Sequence, residues 1–159
     1  MARHEMSEPF ITINGDDMFE PSVIRNLLAS TADITMVTDV KAQYDEDDMK
    51  IITEGEQVLR VGKQIPLSKT NGESVGIIQF KGAGCRTYVE KLDAMVRHPE
   101  NLNLFYLRAI QELIDDGIPV HFSRCEESAW GEIDFHPDLE LIRNHVVQNK
   151  LIERIWKKR

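Results

Sequence analysis

The chain has 159 residues, 42% of them hydrophobic, and its 27 acidic side chains against 19 basic ones give a formal net charge of -8. That length builds one hydrophobic core, and the acidic balance excludes general attraction to DNA, RNA or anionic lipid while leaving room for a local basic pocket that holds a phosphate. Cys85 and Cys125 have no zinc-type spacing, no secretory core opens the chain, and its apolar runs fall short of the roughly 20 residues that cross a bilayer; the expected compartment is cytoplasmic, with no nucleic-acid or membrane partner.

Phe10 to Ile13 reads as a short buried strand, and Asn14-Gly15 supplies turn chemistry that leaves Asp16 and Asp17 at its end. Pro21 suits the first turn of a helix running to about Ala29, with Val23, Ile24, Leu27 and Leu28 on one face. A strand over Ile34 to Thr38 follows, and strand, helix, strand in that order predicts a parallel crossover. The like charges of Asp45-Glu46-Asp47-Asp48 predict an exposed connection. Met49 to Thr53 and Gln57 to Val61 form a predicted hairpin about Glu54-Gly55, and Gly62-Lys63-Gln64-Ile65-Pro66 marks its exit. Ser74 to Phe80 is apolar enough for a largely buried strand.

Helices are predicted over Cys85 to Met95 and Leu104 to Ile114, the second stopped by Asp116-Gly117. Val120 to Ser123 is the last predicted strand, and Pro137 launches a long helix carrying Leu141, Ile142, Val146, Leu151, Ile152 and Ile155. The fold class expected is α/β, with a partial mixed or largely parallel sheet flanked by helices and an extended insertion around residues 45 to 70.

Two acidic segments carry the chemistry. Ile11-Thr12-Ile13-Asn14-Gly15-Asp16-Asp17 and Trp130-Gly131-Glu132-Ile133-Asp134, brought together, would hold one divalent cation against phosphate oxygens. Each has a plainer reading: Asp16 and Asp17 as a self-satisfied turn, Asp134 as the start of the terminal helix, Glu132 and Lys63 as solvated surface. Gly82-Ala83-Gly84 lacks the rest of a P-loop, and no HExxH or EF-hand spacing is present. Tyr88, Phe105, Tyr106 and Trp156 read as core or partner-contact residues.

In chain order, the strand into Asn14-Gly15-Asp16-Asp17, then Gly62-Lys63-Gln64-Ile65, Gly72-Glu73-Ser74-Val75-Gly76-Ile77, and Trp130-Gly131-Glu132-Ile133-Asp134 before Pro137-Asp138-Leu139-Glu140 form one pattern. It resembles the later part of a sugar-nucleotidyltransferase-like domain, particularly the cytidylyltransferases that activate phosphocholine, aminoethylphosphonate or related small phosphorylated alcohols. The resemblance implies a single partial domain over residues 1–159, similar to the C-terminal portion of the family's Rossmann-like domain. It implies transfer of a nucleoside monophosphate, CMP first, from a nucleoside triphosphate such as CTP to a small phosphorylated or phosphonate acceptor.

On the matching positions, Asp16, Lys63 and Asp134 would be catalytic, with Mg2+ held by Asp16 and Asp134 and with Asp17 a further ligand candidate. Glu73, Trp130 and Glu132 would bind substrate. Such transferases begin with a glycine-rich strand and loop and a basic Arg and Lys signature, for which this chain has no counterpart before Asp16. Two expectations follow: a transferase that works with a missing N-terminal half or as a homo-oligomer, or a noncatalytic assembly module that pairs with that half.

Overall fold

The computed structural model describes residues 2–125 and 130–133, together with Pro137, Leu139, Glu140, Arg143 and Asn144, all five helical. Most of the predicted C-terminal helix, and Asp134, lie outside the described residues. The strands are β1 (Phe10–Thr12), β2 (Asp17–Phe19), β3 (Ile34–Asp39), β4 (Lys50–Glu54), β5 (Gln57–Val61), β6 (Gly72–Phe80), β7 (His121–Arg124) and β8 (Trp130–Glu132). Three α-helices accompany them, α1 (Pro21–Ala29), α2 (Ala83–Met95) and α3 (Leu107–Asp115).

Local chemistry explains several of these bounds. Pro21 occupies the first turn of α1, where its missing N–H costs nothing. Glu54 pairs with Gln57 across a two-residue turn, and Gly55 takes the φ of 58° that such a turn asks of its first residue. α3 begins later than its apolar spacing predicts, so Leu104 and Phe105 stand ahead of the helix, and Phe105 is 62% exposed rather than in the core.

β6 is buried at every position and organises the sheet. β1 and β3 flank it, both antiparallel; β3 continues through β7, β5 and β4, and β4 returns to the start of β6 by the pairs Lys50 with Glu73 and Ile51 with Gly72. The ring β6-β3-β7-β5-β4 thereby closes into a small barrel. The sheet is mixed, and the largely parallel alternative is corrected: β3 with β7 is the one parallel pairing among the described residues. β1 and β3 do run in one direction, but β6 is inserted between them, because an apolar pattern fixes that a strand is buried and leaves its neighbour open.

Alternate residues of β3 and β6 serve two cores. Ile34, Met36, Ile78 and Phe80 meet Tyr88 of α2 and Ile110 and Leu113 of α3, whereas Val37, Val75 and Ile77 meet Val23 and Leu27 of α1. Each such side chain contributes about 1.5–3 kcal/mol by leaving water. Phe80 stacks on Tyr88 at 4.1 Å and on Phe10 at 4.8 Å, which ties α2 and β1 to the centre. No helix among the described residues is long and apolar enough to cross a membrane.

Candidate functional site

The two acidic segments meet in a separate ribbon, β2 antiparallel to β8, with Asp17 opposite Glu132 and Phe19 opposite Trp130. Two three-residue strands are marginal alone. Phe19 and Trp130 anchor this pair by packing against the α1 core, and Ile133 N–H donates to the Asp16 carbonyl at 3.1 Å. Asp16 precedes β2 in a turn, so the alternation that would send neighbouring strand residues to opposite faces does not separate it from Asp17. Carboxylate oxygens of Asp16, Asp17 and Glu132 lie within 4.8 Å of one another.

Both Asp17 carboxylate oxygens are shut off from solvent without a well-formed hydrogen bond among the described residues. Burial, then the neighbouring charges of Glu132 and Asp16, push the Asp17 carboxyl up to about 7 despite the Asn14 backbone. A clustered, oxygen-only donor set with orphaned buried oxygens fits a hard divalent cation. Among the described residues Glu132 joins Asp16 and Asp17, and the other expected ligand, Asp134, lies outside them.

Asp16 and Glu132 line a cavity of about 640 Å³ whose wall also holds Lys63, Glu73 and Trp130, so five of the sequence candidates share one space. Asp17 is not part of that wall. Lys63, at the hairpin exit, holds its ammonium 5.1 Å above the Phe105 ring centre and 3.9 Å from exposed Asp47. Glu73, from β6, is 3% exposed; one oxygen accepts from Lys41 Nζ at 2.6 Å, and the buried Oε1 has no partner among the described residues. Burial pushes its carboxyl up to about 7 against the pull of the Lys41 ammonium, with Asp48 and Asp39 adding to the rise. Trp130 Nε1 donates to Asp39 Oδ2 at 2.7 Å, which fixes the indole against the sheet.

No family model and no curated protein matches the chain. Solved structures do: an inositol-1-phosphate CTP transferase from T. maritima, with TM-score 0.68 and 20% identity over 88% of this chain and 57% of that one. A CTP:phosphocholine cytidylyltransferase from Streptococcus pneumoniae gives TM-score 0.72 at 16% identity, over 90% of this chain and 59% of its own. The fold is nucleotidyltransferase-like. A CMP:2-keto-3-deoxy-manno-octonic acid synthetase complexed with CTP agrees, at TM-score 0.63 and 16% identity over 93% of this chain and 66% of its own. The chain spans less than two thirds of each of those proteins, and at such identities the likeness is one of fold.

Three residues to which the sequence reading gave no part in the site hold it in position. The Tyr106 hydroxyl lies 3.0 Å from Asn14 Oδ1 and 3.1 Å from the Gly76 carbonyl, bracing the turn that carries Asp16; burial holds this phenol well above its usual range. Tyr106→Phe is expected to cost about 1–2 kcal/mol, read as a lower denaturant midpoint at unchanged m.

Lys50 is the third such residue, after Asn14 and Tyr106. It is 2% exposed, and its ammonium donates to the carbonyls of Asp45, Glu46 and Asp48 at 3.1, 2.7 and 3.4 Å. Asp45, Glu46 and Asp47 are exposed as expected, and the segment also folds back over this buried cation, with Asp47 and Asp48 in the cavity wall. A lone lysine after an acidic run carries no signal of such caging, which depends on backbone carbonyls.

Proposed function

We propose that the chain provides the metal and acceptor side of a nucleotidyltransferase site, which moves a nucleoside monophosphate, CMP first, from its triphosphate to a small phosphorylated or phosphonate acceptor. The observation that carries the reading is one cavity in which the acidic ribbon, Lys63, Glu73 and Trp130 converge from distant parts of the sequence. An acceptor oxygen attacks the α-phosphorus in line; the new bond is acceptor oxygen to α-phosphorus, and the α-to-β bridge breaks with its electron pair leaving on pyrophosphate. No protein nucleophile is required.

Lys63 offsets the repulsion between the acceptor phosphate and the triphosphate, and the fixed Trp130 face with Glu73 orients the acceptor. Asp16 and Asp134, together with Asp17 and Glu132, would hold the Mg2+ that, when bound, supplies phosphate orientation and charge screening. Positioning and electrostatics supply the rate enhancement.

The test is isothermal titration calorimetry of the full chain with Mg2+ and CTP, ATP, phosphocholine or aminoethylphosphonate, with oligomeric state monitored. Magnesium-dependent binding that weakens about tenfold or more in D16A,D134A supports the metal role. Unchanged binding in that variant, correctly folded, rejects it. A second reading, a noncatalytic module that completes a nucleotide-binding half on another polypeptide, is favoured by the outer edge of β1, which among the described residues pairs with β6 alone. A chain that stays monomeric at high concentration and captures no such half removes that reading.

A further inference from the structure

Beside the acidic cavity lies a second, of about 660 Å³, between segment 60–69 and the start of α3; Met49, Lys63, Phe105 and Leu107 belong to both walls. Its sign is opposite. Arg60, Lys63, Lys69 and Arg108 line it and no carboxylate does, in a chain whose acidic side chains outnumber the basic ones 27 to 19. Arg108 is paired with Glu112 at 3.3 Å and Lys63 only distantly with Asp47 at 3.9 Å. Arg60 and Lys69 have neither an ion pair nor a side-chain hydrogen bond among the described residues.

The floor of this cavity is apolar and fixed. Val61, Ile65 and Leu107 are buried there. Gln111, also in the wall, accepts from Val61 N–H at 2.8 Å through Oε1 and donates from Nε2 to Asp115 Oδ1 at 2.8 Å, so both ends of its carboxamide are already engaged. Like charges around a low-dielectric floor focus a positive potential into the space between them. A fully hydrated inorganic ion would gain nothing from Val61, Ile65 and Phe105, and a neutral apolar molecule nothing from Arg60 and Lys69. A molecule with both features uses the whole wall.

We propose that this cavity is a binding site for a small organic anion, a phosphate or carboxylate carried on an apolar or aromatic body, separate from the acidic cavity. The guanidinium of Arg60 and the ammonium of Lys69 take the anionic end. The body lies on Ile65 and Phe105. Lys63, seated over Phe105, stands with Met49 and Leu107 in the wall shared by the two cavities, where its charge acts on both. The inference does not rest on nucleotidyl transfer.

The experiment is a titration of the ¹⁵N-labelled full chain with phenyl phosphate, phenol and inorganic phosphate, followed by backbone amide shifts. Phenyl phosphate is expected to move Gly62, Gln64 and Phe105 saturably, with phenol and inorganic phosphate each weaker by about tenfold. R60A,K69A removes two exposed side chains without touching the core, and it is expected to weaken phenyl phosphate by about tenfold or more. Mg2+ titrated alone reports on Asp16 and Asp17 instead, so failure of the metal reading leaves this one standing. The proposal is overturned by absence of saturable shifts at Gly62 and Gln64, by phenol binding as tightly as phenyl phosphate, or by undiminished affinity in R60A,K69A.

Discussion

Gly76→Ala is expected to lower stability by about 2–4 kcal/mol and to loosen the acidic site with it. Gly76 lies within β6 at a φ of 83°, where the register against β3 slips: Met36 pairs with Ile78 but Thr38 with Ser74. The extra β6 residues form a bulge, and the left-handed backbone there strains any residue with a side chain. A Cβ at Gly76 would also land on the Asn14 carboxamide. Asn14 has no cheap escape, since its Oδ1 lies 3.0 Å from the Tyr106 hydroxyl and its carbonyl accepts from Asp17 N–H at 3.4 Å.

Gly117→Ala isolates the contact, because Gly117 has a φ of 81° and an added Cβ there meets nothing within 4 Å. It carries the backbone strain alone, about 1 kcal/mol. Chemical denaturation of both variants measures the difference. Equal losses would mean that Asn14 yields freely and that the bulge does not brace the site.

Residues that act through neighbours in sequence were legible, and those that act across the fold were not. Pro21 placed α1, Glu54-Gly55 placed the hairpin, and the apolar run of β6 announced a strand covered on both sides. β2 and β8 are three residues each, too short for any period, and their stability comes from Phe19 and Trp130 packing on a core assembled elsewhere. Barrel closure depends on Lys50 and Ile51 meeting Glu73 and Gly72, a pairing that no local pattern encodes.

The start of α3 misled for a related reason: Leu104 and Phe105 continue the helical spacing, yet the helix begins only at Leu107, leaving the ring of Phe105 under Lys63. The cavity candidates came from ordered motifs. Composition alone would not have joined a turn, a hairpin exit, β6 and β8 into one wall.

Asp17→Asn is expected to stabilise the metal-free chain by an amount that grows as pH rises from about 4 to about 7 and then levels off. Burial and the charges of Glu132 and Asp16 lift Asp17 from its ordinary 3.8 to about 7, and burial lifts Glu73 from 4.5 to about 7. Between those values the folded chain holds protons that the unfolded chain has released. Stability from these groups is therefore greatest below the unfolded values and is lost as pH rises through the folded ones. Asparagine at position 17 removes its share of that loss.

Magnesium acts in the opposite sense on the parent chain. Its ligands must be ionised, so binding releases protons and strengthens as pH passes about 7. At ten times the dissociation constant it adds about 1.4 kcal/mol, a rise of about 3–6 °C in Tm. Differential scanning calorimetry of parent and Asp17→Asn with and without Mg2+, from pH 4 to pH 8, separates the two effects. A gain independent of pH would mean that Asp17 is solvated in the folded chain. An undiminished magnesium increment in the variant would remove Asp17 from the ligand set and leave its buried oxygens as strain held in the ribbon.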